Sequence, residues 1–205
     1  MRYGMVIDLN RCVACHTCAV ACKQANNLPN DIWWNRILTI GGEAMDTAAG
    51  TYPHNLELHH IPLSCQHCEN PACAKACPVG ATYKREDGIV IQDYDKCIGC
   101  RMCTVACPYS ARSFNWKRPE YYIDHAVGDY DAPVHQYNAV EKCTFCVNRI
   151  ARGEPPACME LCPGRARYWG DLDDPDSEVS KALQGRQYIR LLEEKGTGPN
   201  VYYLK

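Results

Sequence analysis

An α+β fold assembled from a fourfold repeat of short strand, cysteine loop and short helix is predicted for this chain of 205 residues. Three observations predict it. Sixteen cysteines fall into four groups of four, with none left over. A short β-like run precedes each of the first three groups, and a short helical pattern carries or ends at the last cysteine of each. The second and third groups are separated by only 19 residues (78–96), so two repeats sit back to back as a compact pair.

The first group is Cys12, Cys15, Cys18 and Cys22, with two, two and three residues between successive cysteines. The second is Cys65, Cys68, Cys73 and Cys77, with gaps of two, four and three, followed by Pro78. The third, Cys97, Cys100, Cys103 and Cys107, repeats the spacing of the first and is followed by Pro108. In the fourth, Cys143, Cys146, Cys158 and Cys162, the third cysteine is displaced by a gap of eleven, and Pro163 follows.

The first and third groups have the spacing that binds [4Fe–4S] clusters in bacterial ferredoxins. Three thiolates of one tight loop take three corners of a cube; the fourth, a helical turn on, faces away and ligates a different cube. Ala14 and Gly99, small residues inside the loops, let the backbone approach and aim N–H groups at sulfur. The proline after the last cysteine has no N–H to satisfy and fixes φ as the chain turns away. Competing chemistries fit less well. Disulfides between cysteines two residues apart close strained loops. Zinc ribbons set two CxxC knuckles about 15–20 residues apart, unlike these runs. Cys12-Val13-Ala14-Cys15-His16 matches the haem attachment motif, but that reading strands Cys18 and Cys22 and leaves His16 as a polar loop residue.

The elements follow in chain order. Gly4-Met5-Val6-Ile7 is the strand before the first group, and Thr17–Gln24 the helix that carries Cys22. The segment 23–64 contains a strand pattern from Ile32 to Ile40 that stops at Gly41-Gly42. Leu56 to Ile61 is the strand before the second group, and Pro71–Ala76 its helix, with proline in the first turn. A turn at Arg85-Glu86-Asp87-Gly88 leads into Gly88-Ile89-Val90-Ile91, the strand before the third group, whose helix is Met102–Ala106. Residues 108–142 are rich in Tyr, Asp and Pro. Asp176–Lys195 reads as a helix capped by Ser177 or Asp176 and broken at Gly185, and Asn200–Leu204 as a terminal strand. Trp33-Trp34 and the Tyr-rich stretch 119–137 fit a partner surface and a cap over the core equally well.

Lys+Arg 22 against Asp+Glu 24 gives a net charge of −2, which offers no footprint for nucleic acid or anionic lipid. No apolar run approaches the roughly 18–20 residues of a membrane helix. The start, Met1 to Asp8, has too short an apolar stretch for a signal peptide, so the expectation is a chain that neither spans a membrane nor carries its own export address. Four cubes at about −2 each would take the protein from −2 to about −10, so nearby cations are needed. Lys96, Arg101 and Lys142, each beside a ligand cysteine, are the candidates of choice. The sequence has no phosphate-cradling glycine motif and no radical-chemistry CxxxCxxC, and His59-His60 reads as polar decoration of a strand. The chain reads as an electron conductor without a catalytic site of its own.

The four groups in this order, with the displaced third cysteine of the last, resemble the iron–sulfur electron-transfer subunits of molybdopterin oxidoreductases of the dimethyl sulfoxide reductase type. The likeness extends to Gly170-Asp171-Leu172-Asp173-Asp174-Pro175-Asp176-Ser177 and to the ending Pro199-Asn200-Val201-Tyr202-Tyr203-Leu204. As is common in that family, Lys23 rather than proline follows Cys22. The resemblance implies four [4Fe–4S] clusters, held by Cys12, Cys15, Cys18 and Cys162; by Cys143, Cys146, Cys158 and Cys22; by Cys65, Cys68, Cys73 and Cys107; and by Cys97, Cys100, Cys103 and Cys77. It thereby implies two interleaved bacterial-ferredoxin-like modules in one unit spanning 1–205. The inner module covers about 56–112, the outer about 1–28 with 138–170, and a C-terminal extension 171–205.

The function implied is relay of single electrons between a molybdenum or tungsten bis-pterin catalytic subunit and either a membrane quinol anchor or a soluble redox partner. The alternatives are a free-standing polyferredoxin, or the iron–sulfur subunit of a formate dehydrogenase or hydrogenase complex. Some relatives carry a C-terminal membrane helix, which this sequence does not show before Lys205. Relatives fold in the cytoplasm and are often exported bound to a catalytic subunit with a twin-arginine signal. The implied place is peripheral and membrane-associated, exported with its partner, with the cytoplasm as the alternative.

Overall fold

The structure, a computed structural model, describes residues 1–41, 43 and 46–205. The chain runs through β1 (Tyr3–Asp8), α1 (Thr17–Ala25), β2 (Arg36–Ile40), β3 (Ala49–Thr51), β4 (His54–Glu57) and β5 (His59–Leu63). It continues through α2 (Ala72–Lys75), β6 (Thr82–Lys84), β7 (Val90–Gln92), α3 (Met102–Val105), β8 (Ser113–Phe114) and β9 (Val140–Glu141). Last come α4 (Val147–Ala151), α5 (Ala157–Glu160), β10 (Arg167–Asp171), α6 (Glu178–Leu183), β11 (Tyr188–Ile189), a 3-10 turn at Glu193–Lys195, and β12 (Val201–Leu204). The fold is mixed helix and strand, with cysteine loops between short elements.

One four-stranded sheet, in the order β10-β1-β12-β11, organises the core. β1 is central, antiparallel to β10 with Met5 opposite Trp169, and parallel to β12 with Ile7 opposite Tyr203. Met5, Ile7, Val201 and Tyr203 point to one face and pack with Ile89, just before β7, and with Phe145 from the cysteine loop of the fourth group. Val6, Tyr202 and Leu204 point to the other and are covered by Val179 of α6. A strand buried on both faces reads as a continuous apolar run, which is why Gly4 to Ile7 does not alternate. Each such fully buried side chain contributes about 1.5–3 kcal/mol.

Around the sheet, α1 packs on α5 and α2 on α3. Small two-stranded antiparallel sheets, β2 with β5, β6 with β7 and β8 with β9, carry the chain between the loops. The tail is a strap. β12 pairs with β1, while Asn200 donates its backbone N–H to the Gln66 carbonyl (2.9 Å) and its Nδ2–H to the His67 carbonyl (2.8 Å). The Tyr203 hydroxyl donates to the Pro62 carbonyl at 2.9 Å. The end of the chain thus ties the strand of the first repeat to the loop of the second.

Several expectations are refined. The strand pattern from Ile32 to Ile40 is extended only from Arg36, because β5 supplies partners no further than Leu63. Ile32 and Trp34 instead pack on Cys22 and Leu28. Gly41 turns with φ +83°, and Gly42 lies outside the described residues. The strand at Leu56–Ile61 divides at Leu58, where the chain changes partner from β3 to β2. The helix expected over Asp176–Lys195 stops at Leu183. Ser177 caps its start, accepting from the Ser180 N–H, and beyond Gly185 the chain forms β11 on the edge of the sheet instead. The fourth group, like the others, follows a short strand, β9.

Candidate metal centres

Three cavities are each lined by four cysteines. Cys12, Cys15 and Cys18 share one with Cys162. Cys143, Cys146 and Cys158 share a second with Cys22. Cys65, Cys68 and Cys73 share a third with Cys107. Each takes three thiols from one sequence group and the last thiol of another. Of the remaining four cysteines Cys103 is buried, Cys77 and Cys97 are half-buried and Cys100 is exposed. Cys97 and Cys103 are electrostatic neighbours, and Cys103 and Cys77 meet at Thr82, whose N–H reaches the Cys77 sulfur at 3.5 Å and whose side chain bonds Cys103.

The local backbone explains how four loops do the same work. The residue two positions after the first cysteine is left-handed in every group: Ala14 (φ 54°), His67 (41°), Gly99 (71°) and Phe145 (62°). Only Gly99 adopts that conformation without cost; for other residues it costs roughly 1–2 kcal/mol and persists where the surroundings over-determine it. The return is an N–H aimed at sulfur. Phe145 N–H reaches Cys143 Sγ at 3.4 Å, and the backbone at Ala14 bonds Cys12. At the far end of the fourth group, Ala166 N–H reaches Cys162 Sγ at 3.4 Å. The fourth cysteine of each group sits in or just after a short helix, so its sulfur faces away from its own loop.

Burial pushes the Cys22, Cys103, Cys107, Cys143 and Cys146 thiols up, and takes Cys68 and Cys158 to about 12. Thiols so desolvated ionise when a cationic centre takes the proton's place. Cys15 is the reverse case, held down by hydrogen bonds from Thr17. Among the described residues, no three His, Cys, Asp or Glu side chains converge as ligands of one metal ion. A tetrahedral zinc site, with Zn–S about 2.3 Å, needs sulfurs roughly 3.8 Å apart. These thiols ring a chamber instead, which suits a polynuclear cluster.

Of the three cations expected from the sequence, Lys142 is fully buried, its Nζ donating to the Cys143 carbonyl at 2.9 Å and to the Val90 carbonyl. Lys96 is exposed and paired with Asp93 at 3.0 Å. The Arg101 guanidinium stacks over Trp116 at 4.3 Å. Two further cations, not expected from the sequence, lie closer to the thiols. Arg167, buried, donates from Nη2 to Cys18 Sγ at 3.3 Å and from Nη1 to Cys158 Sγ at 3.8 Å. Arg112, also buried, lines the Cys65 cavity with Cys73 as its sulfur neighbour, and its Nε and Nη2 find no oxygen or nitrogen acceptor. A sequence signal existed: each stands five residues after the last cysteine of its group, in Cys107-Pro108-Tyr109-Ser110-Ala111-Arg112 and Cys162-Pro163-Gly164-Arg165-Ala166-Arg167. Guanidinium nitrogens facing four thiols fit an anionic group in the chamber. Trp34 is buried and Trp33 half-exposed, whereas Tyr122 and Tyr130 stand fully out.

The family profile described as a 4Fe-4S dicluster domain matches residues 56–122 and 128–172. A Halobacterium salinarum protein named as an iron–sulfur subunit of dimethyl sulfoxide reductase is 51% identical over 98% of this chain and 78% of its own length. A selenate reductase subunit of Mesobacillus selenatarsenatis is 42% identical over 100% of this chain and 72% of its own. The arsenate respiratory reductase iron–sulfur subunit of a Shewanella species is 36% identical over 100% and 97%. No helix of the described residues is long and apolar enough to cross a membrane. A dicluster profile met in two stretches and sixteen cysteines fit four [4Fe–4S] clusters. The chain belongs to the iron–sulfur electron-transfer subunits of the dimethyl sulfoxide reductase family, non-catalytic members of oxidoreductase complexes.

Proposed function

We propose that this chain is the conductor between a molybdenum or tungsten bis-pterin catalytic subunit and a second redox partner, a membrane quinol anchor or a soluble protein. Its ligand sets are Cys12, Cys15, Cys18 with Cys162; Cys143, Cys146, Cys158 with Cys22; Cys65, Cys68, Cys73 with Cys107; and Cys97, Cys100, Cys103 with Cys77. The observation that carries this reading is the exchange of cysteines in the three cavities, where the last thiol of one group completes another group's triad. The same exchange supports two interleaved modules, an inner one of about 56–112 and an outer one of about 1–28 with 138–170.

Bound, each cluster takes up and gives up one electron at a time. The rest is what the chain's residues do. Neighbouring sets follow one another in one order: Cys18 is near Cys158, Cys143 packs with the cluster of Cys65, and Cys73 is near Cys103. That order makes a file with the Cys12 set at one end and the Cys97 set at the other. The inner sets are partly shielded from water by the buried Trp34, Phe145, Tyr109 and Ala111. Cys15 and Cys100 are the exposed thiols, one at each end. Exposed apolar side chains surround them, Val13 and Leu161 near the first, Ile98, Met102 and Val105 near the second. Partners docked there would bring their own centres within reach. A peripheral, membrane-associated location follows if one partner is the quinol anchor.

Anaerobically purified protein tests the reading. It should be brown, with about sixteen irons and sixteen labile sulfides per chain, and should co-purify with a large pterin-containing subunit. Colourless, zinc-containing protein, or an iron-loaded chain that never retains such a subunit, would overturn it.

A further inference from the structure

We infer that a buried cation stands at each of the three junctions of the cluster file, Arg167, Lys142 and Arg112 in turn, and sets the potentials of the two clusters it separates. This rests on the ligand sets proposed above. Arg167 spans the first junction, with one guanidinium nitrogen 3.3 Å from Cys18 Sγ and another 3.8 Å from Cys158 Sγ. Lys142 spans the second. Its Nζ donates to the carbonyl of Cys143, which lines one cavity, and to that of Val90, which lines the next. Arg112 spans the third. It lines the Cys65 cavity, and its Nη1 donates at 3.3 Å to Thr82 Oγ1, the residue whose N–H meets the Cys77 sulfur.

The three side chains share an anomaly. All are buried, and among the described residues none has a carboxylate within ion-pair distance; their partners are sulfurs, carbonyls, Thr82 and the side-chain oxygens of Asn35 and Gln92. By contrast Arg149 and Arg152, on and just after the helix that follows Cys146, are paired with Asp129, Glu154 and their neighbours in the ordinary way. A buried charge is tolerated only where an opposite charge compensates it. Four-thiolate cubes carry about −2 each and are the counter-charge at hand. Two such anions side by side repel, and reduction deepens the repulsion. A cation between them favours the electron-rich state of both. Each hop oxidises one cluster and reduces its neighbour by one electron, so a charge shared by the pair keeps the two potentials close as well as raised.

The test is EPR-monitored redox titration of the purified complex carrying Arg167→Gln, Lys142→Gln or Arg112→Gln, with iron and sulfide counted in each. The expected result is a fall in the midpoint potentials of the two flanking clusters that exceeds any change in the two remote ones. The charge-retaining partners, Arg167→Lys, Lys142→Arg and Arg112→Lys, should restore most of it. Full iron content with unchanged flanking potentials, or equal shifts at all four clusters, would overturn the inference while leaving the ligand sets standing. A glutamine variant that loses iron while its charge-retaining partner keeps it supports the inference; loss of iron in both assigns the residue a packing role and ends it. Native protein with fewer than four clusters would instead sink the ligand sets themselves.

Discussion

The rings of His67 and Phe145 meet edge to face, with centroids 4.6 Å apart and planes at 85°. Each residue stands two positions after the first cysteine of its group, each is left-handed, and both are buried. The tip of the second cysteine loop therefore rests on the tip of the fourth. His67 is fixed from behind, its Nδ1 accepting the Val90 N–H at 3.2 Å. Phe145 also joins Met5, Ile7, Ile89 and Tyr203 in the largest apolar cluster, so one ring connects the central sheet to two metal loops.

Replacing Phe145 with Ala should therefore cost about 3–5 kcal/mol, the usual range for a buried phenylalanine. Because cluster loss makes unfolding irreversible, the measurement is the rate at which visible absorbance bleaches on heating under anaerobic conditions. Phe145→Leu should bleach at a rate between those of the native and Ala proteins. Native-like bleaching of Phe145→Ala would mean that the loops are held together elsewhere.

Much of this was legible in the sequence because it depends on spacing. Cysteine gaps report which thiols share a loop, the apolar run at Gly4–Ile7 reports a central strand, and Ser177 reports a helix start. What stayed hidden depends on meetings between distant segments. Ile32–Asn35 reads as strand from its apolar and aromatic residues but, among the described residues, has no strand to pair with. β11 exists only because the edge of β12 is free to receive it. Left-handed His67 and Phe145 could not be read from residue type, since tertiary packing holds them where glycine would be expected. Arg112 and Arg167 lie five residues beyond their cysteines, too far for a search confined to ligand neighbours.

Cys22 decides whether the cysteine exchange is real. It leaves the first group on α1 and lines the cavity of Cys143, Cys146 and Cys158. In Cys22→Ser, the EPR signal that disappears or converts should be the one also altered in Cys146→Ser, and the signal altered in Cys15→Ser should persist. Iron should fall by about one to four atoms per chain, according to whether a cube becomes a three-iron cluster or is lost. A change confined to the Cys15 signal would contradict the exchange. Cys103→Ser is the corresponding probe of the open set, and an unchanged spin count there would remove Cys103 from the ligands.

Arg149 clamps the Tyr-rich segment to the fourth group. Its Nη1 lies 3.1 Å from Asp129 and its Nη2 bonds Glu160, while its Nε donates to the Pro155 carbonyl at 2.9 Å. Asp129 N–H in turn donates to the Ala25 carbonyl at the end of α1. The guanidinium is mostly buried and multiply bonded, so its loss should exceed that of a surface pair. Arg149→Ala is expected to cost about 1–3 kcal/mol. Hydrogen exchange should quicken at residues 128–132 before it does in the central sheet. Exchange unchanged in that stretch would show that the segment is held without the clamp.

The ends of the file are where partners must come. Val105 is 83% exposed on α3, one turn from Met102 and close in sequence to Cys100, and Leu161 is 53% exposed beside Cys162. Apolar side chains grouped in this way on a water-facing surface are the usual core of an interface, and a charge placed there is desolvated on docking with no group to pair it. Val105→Asp should weaken one partner by about tenfold or more, and Leu161→Asp the other. Both changes point into solvent, so iron content and midpoint potentials should remain native, which separates lost docking from lost clusters. The measurement is retention of the catalytic subunit and of the second redox partner on an affinity-tagged chain, each variant against the native protein. If both variants held both partners at native affinity, the contacts that deliver electrons would lie away from Cys15 and Cys100, and the file would have to be entered from its side.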